Sequence, residues 1–300
     1  MTPQPIDPGV VKSLGEKAMI VRANFSMFGN SKLDKKRSHE VTKRAQAKAG
    51  SARVNKDLID RDDSTWREVI RDFGALKKYH NSYTIPYDDN GGRLLDSRKF
   101  FEYTQEMRTL THKATESVKR FITKYPELID KAERYAVGGG HGELFNRSEY
   151  PTSEQMEAKF GINVDTELVP TGNSAHLLDI SDADKFRIEE EVNARVEAKL
   201  AQAMDDPWKR IHKVVSAMVE RLADQDNTFK NSLVENVSEL VSVLPLLNIA
   251  ESPELYDMAD KLKDLLAYTP KELRDDKYAR AETADEAQKI LDAMAPFYQA

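Results

Sequence analysis

From Ser181 onward, apolar residues recur at steps of three and four, and this spacing constrains the fold more than any other feature. Ile188, Val192, Val196, Leu200 and Met204 lie four apart; Trp208, Ile211, Val215, Met218 and Leu222 follow at three and four. A helix gathers such residues on one face, whereas a half-buried strand would place them at every second position. The first set is a narrow stripe on an otherwise charged segment, the pattern of a helix that pairs with another in the same chain or in a second subunit. Phe229, Leu233, Val237, Leu240 and Leu244 predict a further helix closed by Pro245, and Ser252-Pro253 reads as the start of the next. Thr283 and Glu286 have capping-box spacing for a last helix carrying Ile290, Leu291, Met294 and Phe297.

The same period appears earlier. Trp66, Val69, Ile70, Phe73 and Leu76 predict a helix from Asp63 or Ser64. Phe100, Phe101, Met107, Leu110, Ala114, Val118, Phe121 and Ile122 predict a second, which Pro126 closes and a third continues to Ala136. Thr152 or Ser153 caps a short helix ending at Phe160. Strand is expected in Ala18–Phe28 and in a hairpin within Ile162–Ile180, and a sheet of four or more strands is not. The chain therefore reads as mainly α: an elongated multi-helix protein with long antiparallel, coiled-coil-like helices and a small β element. Three regions follow: a basic N-terminal arm (1–60), a helical domain with a hairpin (61–180) and a C-terminal helical bundle (181–300).

Charge is unevenly spread. The 300 residues carry a net −6, yet Lys32, Lys35, Lys36, Arg37, Lys43, Arg44, Lys48, Arg53 and Lys56 are opposed within their own stretch by Asp34 and Glu40 alone. That stretch is +7 and the remainder −13. It could form a helix from Lys35 to Ala49, but it has no apolar stripe. The expectation is a solvated helix, or a segment ordered only on binding. Phosphates would be its natural ligand, with salt-sensitive affinity; a charged helix with no partner is the plainer reading. No aromatic interleaves the run, although Phe25 and Phe28 lie upstream.

Specific chemistry is harder to find. There is no Cys, and the sequence holds no phosphate-binding Gly loop, HExxH or GxSxG. No pair among the six His is spaced as ligands on one helical turn, so no metal or cofactor is expected. The absence of Cys, the lack of a leader-like start and the interruption of the apolar stretch Leu240–Ala250 by Pro245 lead to the expectation of a cytoplasmic protein without membrane association. Gly138–Gly142 (GGGHG) reads as a hinge, with a backbone anion nest as the alternative. His80, Tyr83, Tyr87, Asp88, Asp89 and Arg93 form the most distinctive polar segment. Carboxylates beside a His suit acid–base work or a divalent cation; a loop packed by its own aromatics, with turns at Asp88–Gly92, accounts for the same residues.

Read in order, WREVIRDFGALKKYHNSYTIPYDDNGGRLL, FITKYPELIDKA, SEYPTSEQMEAKFGI, DDPWKRIHKVVSAMVERL and LVENVSELVSVLPLLNI resemble a family of helical proteins of tailed phages and prophages, from Trp66 to the C-terminus. The resemblance implies a phage or prophage origin and brings no catalytic residues with it. The function expected is a non-enzymatic, oligomeric binding or assembly factor, with Ile188, Val192, Val196, Leu200 and Met204 as the self-association seam and an unidentified protein as partner. The alternative is a single-stranded or duplex nucleic-acid-binding protein that uses the basic arm.

Overall fold

The computed structural model describes residues 8–134, 141–177 and 179–298. Helix dominates, at 64%. In chain order the elements are α1 (Pro8–Lys17), β1 (Ala18–Ser26), β2 (Ser31–Leu33), α2 (Lys35–Arg44), β3 (Asn55–Asp57), α3 (Ser64–Tyr83), β4 (Ile85–Pro86), β5 (Gly92–Asp96) and α4 (Phe100–Glu133). After them come α5 (Ser153–Glu157), β6 (Gly161–Leu168), α6 (Asp182–Ala203), α7 (Asp205–Leu222), α8 (Ser232–Leu247), α9 (Pro253–Asp264), α10 (Glu272–Asp275) and α11 (Lys277–Met294). No helix among the described residues is long and apolar enough to cross a membrane.

The chain divides into two units. Unit 1 is Met1–Arg22, Asn81–Tyr103 and Asp165–Ala300; unit 2 is Ala23–His80 and Thr104–Val164. The expected C-terminal region falls wholly within unit 1, while the regions 1–60 and 61–180 are each shared between the two. The division also separates charge. Unit 2 holds 23 Lys and Arg against 17 Asp and Glu, a net +6; unit 1 holds 22 against 34, a net −12.

Unit 1 is built on the C-terminal helices. Helix α7 packs along α11 and α8, and α8 along α9. Ile211, Val215, Met218 and Leu222 of α7 meet Val237, Leu244, Leu262, Ala287 and Ile290 in one buried cluster. Trp208 stacks on Phe297 at 5.2 Å. Helix α6 contributes Val196, Leu200 and Met204 to this core, with Val192 packed at its edge. The stripe expected to pair long helices thus has its partner inside the unit, against α1, α7 and the 3-10 segment Gly172–Leu177.

Unit 2 is held by aromatics. Trp66 of α3 meets Phe121 of α4 at 5.2 Å and Phe28 edge-on at 6.0 Å. Phe160 closes on Phe73 and Phe121 at 6.1 and 6.0 Å. Thr152 caps α5 in a full capping box with Gln155.

Several expectations change. The sheet has four strands, in the order β4-β5-β1-β6, because the segment expected as loop folds back as β4 and β5. Strand β5 lies antiparallel to β1, with Ala18 opposite Asp96 and Arg22 opposite Gly92. The second strand expected within Ile162–Ile180 is replaced by the 3-10 segment Gly172–Leu177. Pro126 does not end α4, since Phe121, Tyr125, Leu128, Ile129 and Ala132 continue one buried face past it. Pro245 lies within α8, whose Leu247 is buried two residues later. The last helix starts at Lys277 on the cap Asp276, so Thr283 is an interior residue whose hydroxyl donates to the Ala279 carbonyl. Ile70, Phe100 and Phe101, expected inside, are 48%, 36% and 79% exposed. Of the glycine run, Gly138–Gly140 lie outside the described residues, and His141 leads into a 3-10 turn at Gly142–Leu144.

Candidate functional sites

Two places gather the residues singled out by sequence. The first is the β4–β5 turn in unit 1. Asp88 organises it. Its Oδ1 accepts from the backbone N–H groups of Asn90 and Gly92, both at 2.9 Å, and from Arg22 Nη1 at 3.0 Å; its Oδ2 accepts from Arg22 Nη2 at 2.8 Å. Arg22 also donates to Glu167 at 2.9 Å. Gly91 has φ +82, a conformation that favours glycine, and a Cβ on Gly92 would stand 2.5 Å from Asp88 Oδ2. Hydrogen bonds from Arg22 hold the Asp88 carboxyl at about 2, well below the usual carboxylate range. A group so firmly ionised is poorly suited to proton transfer near neutrality.

Arg93 and Arg210 act on the chain just before this turn. Arg93 donates to the Thr84 hydroxyl at 2.6 Å and carbonyl at 2.7 Å; Arg210 donates to the carbonyls of Asn81, Ser82 and Thr84 at 2.8, 3.0 and 2.7 Å. These carbonyls lie at the end of α3, where no helical N–H follows to satisfy them and positive charge is favoured. Burial pushes the Arg93 guanidinium below its ordinary value. Tyr87 is buried with Lys199 Nζ 5.1 Å above its ring, and burial raises its phenol. Tyr83 packs at the edge of the unit 1 core. Asp89 is exposed and lines a cleft of about 380 Å³ with Tyr87, Asp88, Lys199, Asp206 and Lys209. His80 belongs to unit 2, buried edge-on to Phe25 at 6.4 Å. Within unit 1, Asp88, Arg93 and Tyr87 build a hairpin, with Asp89 on the cleft beside it. Among the described residues no group of three or more His, Cys, Asp and Glu is placed to hold a metal ion.

The second place is the basic stretch, all in unit 2. It is not an unstructured arm: β2 pairs antiparallel with β3, Lys32 opposite Lys56, and α2 lies between them in sequence. The helix ends at Arg44 rather than Ala49, and Gln46 turns the chain with φ +49. Polar contacts substitute for the missing apolar stripe. Asp34 caps α2 by accepting from Arg37 N–H, and its own N–H donates to the Val54 carbonyl. The Ser38 hydroxyl accepts from Val54 N–H at 2.9 Å, and Thr42, buried, donates to the Ser38 carbonyl.

The nine cations are not equivalent. Lys56 is 10% exposed, 2.8 Å from Glu149 and hydrogen-bonded to the Leu144 carbonyl, so it anchors β3 and is withdrawn from solvent. Arg37 pairs with Glu40 at 2.8 Å. Lys32, Lys35, Lys36, Lys43, Arg44, Lys48 and Arg53 are exposed and make no ion pair among the described residues. Elsewhere in the unit, Lys113, Lys119, Arg120, Lys124 and Lys131 of α4 each face a carboxylate.

No family model, no curated protein and no solved structure matches this chain.

Proposed function

We propose that this chain is a non-catalytic nucleic-acid-binding protein that holds the phosphate backbone through the β2–α2–β3 segment of unit 2. The observation that supports this reading is the set of seven exposed, unpaired cations within Lys32–Arg53, on the unit whose net charge is +6. Cations already paired gain little by meeting a phosphate, because they must first surrender a partner; unpaired ones release counterions from the nucleic acid at no such cost. The α2 helix fixes four of them in place, which lowers the ordering entropy of binding. Unit 1, at −12, repels the same ligand and confines contact to unit 2.

Of the α6 stripe expected as a self-association seam, Val196, Leu200 and Met204 pack in the unit 1 core and Val192 at its edge, while Ile188 is half-buried; the nucleic-acid reading calls on no second subunit. A phage or prophage origin and a cytoplasmic site of action are part of the proposal, and the sequence resemblance is their support.

The test is a variant with Lys35, Lys36, Arg37, Lys43 and Arg44 all changed to Ala, titrated against labelled DNA. Binding should fall at least about a hundredfold, since each lost phosphate contact removes part of a salt-dependent affinity. Circular dichroism should stay close to wild type. Equal affinity in variant and wild type would move the site elsewhere, and no binding by wild type at low salt would remove the proposal.

A further inference from the structure

Resting on the reading above, we infer that the basic segment takes double-helical rather than single-stranded nucleic acid and holds it by its phosphates alone. Proteins that take single strands place aromatic rings beside their cations, and each stacked base contributes about 1–3 kcal/mol. Here no Phe, Tyr or Trp supplies that platform. From Gly29 to Thr65 the sequence has no Phe, Tyr or Trp. Upstream, Phe28 is 7% exposed and lies edge-on against Trp66, and Phe25 sits against the buried ring of His80. Downstream, Trp66 is 4% exposed. Beside the seven cations stand the aliphatic Leu33 at 42% and Val41 at 45% and a single imidazole, His39, the smallest of the ring side chains.

Affinity must then come from charge, and charge density separates the two ligands. A duplex carries a phosphate about every 1.7 Å of its axis, one strand about every 3.4 Å. The outward face of α2 carries Lys36, Lys43 and Arg44, opposite the inner Ser38 and Thr42. Lys36 and Lys43 are two turns apart, about 10 Å along the axis. About six duplex phosphates fall within that length, against about three of a single strand. The helix is held by its cap at Asp34 and by Ser38 on Val54, so its cations cannot spread to follow a flexible chain.

The experiment is anisotropy with the full chain and three fluorescent probes: two duplexes of unrelated sequence, and a mixed-sequence single strand of the same length, all at one low salt concentration. Both duplexes should bind alike within about twofold, and at least about tenfold tighter than the single strand. Equal or tighter binding of the single strand would overturn the inference while leaving the reading beneath it intact. A tenfold preference between the two duplexes would show base readout and overturn the phosphate-only part. Failure of all three probes to bind would sink the underlying reading as well.

Discussion

Replacing Asp88 with Asn tests whether the β4–β5 turn is architecture or chemistry. The substitution keeps the side chain's shape and one carbonyl oxygen for the N–H groups of Asn90 and Gly92, but removes the charge that Arg22 meets at 2.8 Å. The folded carboxyl lies at about 2 against an ordinary 3.8, and at 1.36 kcal/mol per pH unit that difference is about 2.4 kcal/mol. Arg22 is 22% exposed, so solvent screening brings the expected value to about 1.5–2 kcal/mol. Because the folded value is depressed, the contribution is complete above pH ~4 and disappears as pH falls from 4 to 2. The assay is urea unfolding followed by tryptophan fluorescence. The two Trp fall one in each unit, so in a Trp66→Phe background Trp208 reports unit 1. Wild type should exceed Asp88→Asn by about 1.5–2 kcal/mol at pH 7, with the gap closing near pH 2. A gap that is absent at pH 7, or that persists unchanged at pH 2, would refute the reasoning.

Three further outcomes follow from the packing. Arg280→Met should cost unit 1 about 3 kcal/mol in the same assay, because Arg280 is 6% exposed and donates to the carbonyls of Arg221, Leu222, Asp224 and Asn227; a loss under about 1 kcal/mol would contradict its role as a clamp. Val196→Asp should cost about 3–5 kcal/mol by placing an unpaired charge in the core that Val196 shares with Leu200; unchanged stability would mean that the α6 stripe faces solvent. Lys56→Met should destabilise unit 2 by about 1–3 kcal/mol through the loss of Glu149's partner, yet leave the salt dependence of DNA binding as it was. A reduced salt slope would return Lys56 to the phosphate-binding set.

The legible parts of this fold were those written in local periodicity or local charge. The stripes of α3, α7 and α8 follow from spacing because a helix buries one face wherever it packs, and the +7 stretch needed only counting. The sheet was hidden for the opposite reason. Strand β4 has two residues and β5 five, too short for alternation to register. What fixes them is an ion pair between Arg22 and Asp88, 66 residues apart. The two units were invisible because the chain passes between them inside β1, α3, α4 and β6, with no linker composition to mark the place. At the candidate site, sequence gave all nine cations equal weight. Only the fold distinguishes half-buried Lys56, held by Glu149, and paired Arg37 from the other seven, and only the fold reveals Ser38, Thr42 and Val54 as the polar anchor of a helix without an apolar face.

The measurement that bears most directly on the central claim is the salt dependence of duplex DNA binding by the full chain, with the logarithm of affinity plotted against the logarithm of salt concentration. If four to seven of the unpaired cations of Lys32–Arg53 meet phosphates, the slope is about −4 to −6, from ~0.9 per contact. A slope flatter than about −1, or affinity that holds steady as salt rises, would contradict the claim that these cations carry the binding.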